Sequence, residues 1–204
     1  QWLAAPAAPV PPAWQPTLWR ERDVLARQLL QAGNASGAYK LAAAHGQDGG
    51  EARLDAEFLA GFIALRKLHD KPAAAAHFRA LMQGSDSAIT LARGHYWLAR
   101  ASADPAAAKA EYAKAAAWPT AFYGQLAILA LGEGDAGLQA RIRALHDPAA
   151  APGQALDFAG RELARAAALL TGWGEPRRAQ AFLLRLEQIA PDPADRALSA
   201  RLAI

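Results

Sequence analysis

Asp55 to Met82 reads DAEFLAGFIALRKLHDKPAAAAHFRALM, and Ile89 to Ala116 reads ITLARGHYWLARASADPAAAKAEYAKAA. Laid over one another so that Arg66 meets Arg100, they also keep Asp70 with Asp104, Ala73 and Ala74 with Ala107 and Ala108, and Ala76 with Ala110. Phe62 meets Tyr96, Phe78 meets Tyr112, and Ala60 meets Gly94, so ring positions keep rings and a small position stays small. Leu59 opposite Arg93 is the clear break. A small residue followed one turn later by a ring, at Ala74/Phe78 and Ala108/Tyr112, recurring at a period of about 34 residues, is the spacing of a stacked helical hairpin. The small residue lets two helices approach closely, and the ring fills the gap to the next hairpin.

The rest of the chain agrees. Alanine dominates, β-branched residues are scarce, and intrinsic propensity leans towards helix outside the turns. Gly33, Gly46, Gly84, Gly132 and Gly172 fall where apolar periodicity stops, and Asp104-Pro105 and Glu175-Pro176 read as helix starts. Helices are predicted over roughly 17–31, 35–46, 51–69, 71–83, 86–102, 105–117, 119–131, 135–146, 153–171, 175–189 and 193–203. The short connections imply antiparallel neighbours. The expected fold is all-α, a right-handed superhelix of antiparallel hairpins over residues 17–204, that is, a tetratricopeptide-like α-solenoid.

Residues 1–16, QWLAAPAAPVPPAWQP, read as an extended Pro/Ala-rich arm that lies on the body through Trp2 and Trp14. In WPTAFYGQLAILAL, Trp118 to Leu131, three apolar stripes cover nearly the whole helical surface, so the helix is expected to be buried on every side. Pro119 is expected at its first helical position, Gly124 at a close helix crossing, and Phe122 in the core together with Tyr112.

At 204 residues and 53% hydrophobic, the chain is long and apolar enough to fold. No apolar run reaches the length of a membrane span. With no cysteine there is neither a disulfide nor a thiolate metal site, and the compartment stays open on that count. The formal charge of +3 is spread through acidic residues, and no nucleic-acid module is legible. His45, His69, His77, His95 and His146 lack metal-ligand spacing, and His69 and His146 stand at helix ends, where a cation suits the dipole. Carboxylate pairs such as Glu51/Asp55 and Asp157/Glu162 have ordinary helical spacing. No nucleophile elbow, P-loop or dinucleotide fingerprint occurs, and no cofactor is expected. Arg141/Arg143 and Arg177/Arg178 either solvate helix faces or meet a polyanion. Trp173, between two glycines, either caps a hydrophobic edge or offers a flat face to a sugar.

DAEFLAGFIALR (55–66), ARGHYWLARA (92–101) and PTAFYGQLA (119–127), in this order and separation, resemble the α-superhelical region of soluble lytic murein transglycosylases of Gram-negative bacteria. LWRERDVLARQLLQAGNASGAYKLAAAHG (18–46) resembles the stretch that leads into it, and the likeness is strongest over 18–132. The resemblance implies a periplasmic enzyme that cleaves the β-1,4 bond between N-acetylmuramic acid and N-acetylglucosamine and leaves a 1,6-anhydromuramoyl end. In that family a lysozyme-like domain after the helices carries a catalytic Glu in a Glu-Ser step, with a Gly-Leu-Met-Gln motif downstream. This chain has no Glu-Ser step, and its ALMQG (80–84) ends a repeat helix, so no catalytic residue carries over. Ala99 stands where the family pattern has Gly, which bears on the local hairpin angle.

The expected role is therefore a scaffold: it supports its own C-terminal catalytic domain, placed beyond Ile204, and guides peptidoglycan glycan strands. Tyr123 is the expected polar contact across an interface. The rival reading is a stand-alone tetratricopeptide-like module that binds a peptide or protein on its concave face.

Overall fold

The protein, seen here as a computed structural model, is described over residues 11–203. The part of the arm expectation that rests on Trp2 lies outside them. The described residues form a short 3₁₀ turn, Pro12–Trp14, and twelve α-helices, with no strand among them. These are α1 Gln15–Gln31, α2 Ala35–Ala43, α3 Gly50–Arg66, α4 Lys71–Met82, α5 Ala88–Ala101 and α6 Pro105–Ala115. They continue as α7 Phe122–Ala130, α8 Gly134–Arg143, α9 Pro152–Gly160, α10 Glu162–Gly172, α11 Pro176–Ile189 and α12 Pro193–Leu202. The all-α class is as expected. No helix among the described residues is long and apolar enough to cross a membrane.

Local chemistry sets the helix starts. Asp70 and Asp104, equivalent in the repeat, each cap a helix: Asp70 accepts from the Ala73 N–H, and Asp104 from those of Ala106 and Ala107. Asn34 accepts from Gly37 in the same way at α2. Helix α3 stops at Arg66, short of its expected end, because His69 takes a left-handed conformation at φ 57°. There the Leu68 N–H reaches the Ile63 carbonyl and the Asp70 N–H that of Ala64.

The chain divides into two compact units, 1–142 and 143–204. In the first, each helix from α1 to α7 packs on the next, and the odd-numbered α1, α3, α5 and α7 also touch in succession. Its core runs from Trp19, Ala26 and Ala38 through Ala60 and Ile63 to Ala74 and Phe78, then to Ala116 and Ile128. The expected small-then-ring packing is seen at α3–α4. Phe78 is 0% exposed, and a Cβ on Gly61 would come within 2.6 Å of its ring.

The second unit is held by Phe158, Ala164 and Leu186. Expected helix 153–171 is two helices, α9 and α10, broken at Arg161, whose backbone is extended at φ −66° and ψ 138°. Its guanidinium is drawn to Asp195, a fully buried carboxylate 2.5 Å away that also accepts from Gln154. Removing a charge of that kind from water needs such partners.

Three further expectations are corrected. Trp14 is exposed and residues 12–16 are already helical, so the described end of the arm is not extended. The left-handed residue after α10 is Gly174, with Gly172 still inside the helix. Helix α7 begins at Phe122, not at Pro119, which sits in the preceding turn, and it is not buried all round: Phe122 is 65% and Leu129 48% exposed. Gly124 does mark a close approach, to backbone at the end of α6, where a Cβ would come 3.1 Å from the Ala115 carbonyl oxygen, and still more closely to the turn that follows. A Cβ there would fall 1.9 Å from the Trp118 carbonyl oxygen, which belongs to the turn that leads into α7.

Two substitutions in α7 separate its faces. Ile128→Ala should cost about 2–5 kcal/mol, because Ile128 is fully buried, and Phe122→Ala less than about 1 kcal/mol. Chemical denaturation measures both, and equal losses would contradict this placement.

Candidate functional site

Along α3, α5 and α7, aromatic rings form an unbroken series. Phe62 of α3 lies 5.4 Å from Trp97 of α5, Tyr96 of α5 lies 5.4 Å from Tyr123 of α7, and Tyr123 lies 5.1 Å from Phe122. Phe58 and Phe78 also meet Trp97, at 5.9 and 6.0 Å. Edge-to-face and tilted pairs of this kind contribute about 0.5–1.5 kcal/mol each beyond their buried area, so the rings hold one another in place. Two arginines border them. The Arg93 guanidinium lies 4.7 Å from the Phe58 centroid, and that of Arg100 lies 5.8 Å from Trp97 and 6.0 Å from Tyr96. Arg100 Nη1 also donates to the Tyr96 hydroxyl at 3.1 Å. Two buried donors in this region, Arg93 Nε and Trp97 Nε1, have no acceptor among the described residues. Each costs about 1–3 kcal/mol, which the ring packing around it has to offset.

Beside the rings lies a buried polar chain. Glu57 of α3 is 8% exposed and accepts from His77 Nδ1 of α4 at 2.7 Å and from His45 Nε2 at 3.2 Å. The Gln47 N–H donates to His45 Nδ1 at 2.9 Å, which leaves the proton on Nε2, facing Glu57. The Tyr39 hydroxyl of α2 hydrogen-bonds with His77 Nε2 at 3.1 Å. Burial pushes the Glu57 carboxyl up, but the two imidazole hydrogen bonds and their electrostatic attraction outweigh it and hold the group at about 2. A carboxyl so acidic is ionised throughout the neutral range and cannot serve there as a general acid. It ties α2, α3 and α4 together. A second tie lies in the next hairpin: Glu111 of α6 accepts from His95 of α5 at 2.6 Å and from Lys114 at 2.6 Å. Burial raises the Glu111 carboxyl, and these partners bring it below its usual range.

The residues singled out in the sequence fall in both units, Tyr123 and Arg141 in the first and Arg143, Trp173, Arg177 and Arg178 in the second. Tyr123 is half-buried in the ring series. Arg141 is held by Glu133 at 2.7 and 2.8 Å, so its charge is largely neutralised there. Arg143 is exposed at the end of α8. Arg177 and Arg178 are exposed at the start of α11, the latter 3.7 Å from Glu175. Trp173 is 71% exposed after α10 and therefore caps no hydrophobic edge within its unit. A depression of about 570 Å³ between the α2–α3 and α4–α5 connections is lined by Asp48, Arg53, Gln83 and Asp86. Arg53 there already donates to the Ala80 and Gln83 carbonyls.

Sequence reasoning passed over Glu57 and Trp97, and weighed His77 only as a metal ligand. One signal was present: His77 and Glu111 hold the same place in successive hairpins, which carries a base in the first and an acid in the second. Comparisons of the chain with models of protein families, with curated proteins and with solved structures give no match.

The pH dependence follows from Glu57. Its carboxyl titrates near 4.5 unfolded and about 2 folded, so its contribution is complete above about pH 4.5 and is lost as pH falls towards 2. Glu57→Gln should cost about 3 kcal/mol at neutral pH and flatten the acid limb of stability measured by urea denaturation. An unchanged acid limb in the variant would contradict the assignment.

Proposed function

We propose that the chain is the non-catalytic superhelical region of a periplasmic peptidoglycan lytic transglycosylase, a right-handed stack of hairpins that supports a catalytic domain and guides glycan strands. The observation that carries this reading is the packing order in the first unit. The odd-numbered helices touch in succession while the even-numbered ones join them in pairs, as in stacked hairpins with an inner and an outer row. The three phrases that carry the family resemblance fall on α3, on α5 and on the approach to and first part of α7, all odd-numbered helices. The buried charges support the reading too. Glu57, Glu111 and Asp195 are each engaged by basic or amide side chains and act as ties between helices.

The reading is tested with purified peptidoglycan sacculi. The chain should pellet with them and release no anhydromuropeptide on prolonged incubation. A chain that stays in the supernatant at low ionic strength would refute the guiding role, and the rival module for a peptide or protein would take its place.

A further inference from the structure

The rings and arginines of the first unit recur in register. Phe62 is followed one turn later by Arg66 on α3, and Tyr96 by Arg100 on α5, the two pairs holding equivalent places in the repeat. Residues at i and i+4 share a helix face, so each helix presents a ring and a guanidinium side by side. Helices α3 and α5 touch, and their rings are joined through Trp97. The series runs on to α7, where Tyr123 stands against Tyr96 and Phe122 turns its ring 65% to solvent. An apolar ring that large is normally buried, and here Tyr123 holds it edge to face at 5.1 Å and 77°. Arg66 and Arg100 are exposed, and among the described residues no carboxylate lies within ion-pair distance of either.

We propose that Phe122, Tyr123, Tyr96 and Arg100, continued by Phe62 and Arg66, form a track for a β-1,4-linked amino-sugar strand bearing carboxylates. Sugar rings stack on the exposed Phe122 and against the half-buried Tyr123, Tyr96 and Phe62 that continue it, and the carboxylates pair with the guanidinium groups at the spacing of the hairpins. An alternation of flat apolar faces and fixed positive charges suits a polymer that alternates pyranose rings and anions, and it suits neither a neutral glycan nor a simple polyanion. The anion can come from the lactyl ether of a muramic residue or from a peptide stem attached to it. The track rests on the peptidoglycan reading above and gives it a place on the molecule.

Three probes and two variants test it by isothermal titration calorimetry. The probes are chitotetraose, a stem-free tetrasaccharide of alternating N-acetylglucosamine and N-acetylmuramic acid, and the same tetrasaccharide with peptide stems. The intact chain should bind at least one carboxylate-bearing probe about tenfold more tightly than chitotetraose. Preference for the stem-free form assigns the anion to the lactyl group, and preference for the other assigns it to the stem. Phe122→Ala should weaken every probe about tenfold, the size of one lost stacking platform, and Arg100→Ala should erase the preference while chitotetraose binding is kept. Both side chains are exposed, so both variants should melt with the parent. Equal affinity for all probes, or binding unmoved by Phe122→Ala, would overturn the track. Pelleting with sacculi without binding of any probe would overturn the track alone, whereas failure of both would remove the peptidoglycan reading with it.

Discussion

The first unit depends on one close contact, the seating of the Phe78 ring over Gly61. With no side chain on Gly61, α3 and α4 approach closely enough for the ring to reach past α3, and the ring then lies 6.4 Å from Phe58 and 6.0 Å from Trp97. One residue on the second helix of a hairpin thereby joins that hairpin to the next. A similar close approach recurs less rigidly at Gly94, where a Cβ would fall 2.2 Å from Met82, a flexible side chain able to give way. Rigid ring against missing Cβ fixes the geometry, and thioether against missing Cβ tolerates it.

Around this apolar contact the polar groups act as fasteners. Glu57 with His45 and His77, and Glu111 with His95 and Lys114, each bridge helices that the rings have already brought together. In the second unit Asp195 serves α9, α12 and the Arg161 break in the same manner. A buried carboxylate is stable only when its lone pairs are met, so each tie fixes helix position as well as adding energy. At one equivalent place the base His77 is replaced by the acid Glu111, and each ties its helix to the preceding one through a partner of opposite kind, Glu57 or His95.

Much of this architecture was legible in the sequence, and the reason is local. The caps at Asp70 and Asp104, the small-then-ring spacing and most helix ends follow from near neighbours in the chain. What escaped was set by distant groups. Arg161 breaks a helix that propensity would continue because Asp195, far along the chain on α12, draws its guanidinium. His69 ends α3 in a left-handed conformation normally left to glycine. Phe122 reads as core because its neighbours are apolar, yet α7 packs with α5 and α6 on one side only. The candidate site shared that limit. Tyr123 could be singled out as an aromatic worth attention, but its ring partners Tyr96 and Trp97 come from another helix. The arginine pairs singled out from clustering alone turned out exposed or answered by glutamate.

The most direct measurement is a double-mutant cycle between Gly61→Ala and Phe78→Ala, read as unfolding free energy. If the ring occupies the space a Cβ would need, Gly61→Ala is destabilising in the parent and close to neutral once Phe78 has been truncated, with a coupling of about 1–3 kcal/mol. Additive effects of the two substitutions, to within about 0.5 kcal/mol, would mean that the ring does not sit over Gly61 and that the hairpins are joined by some other contact.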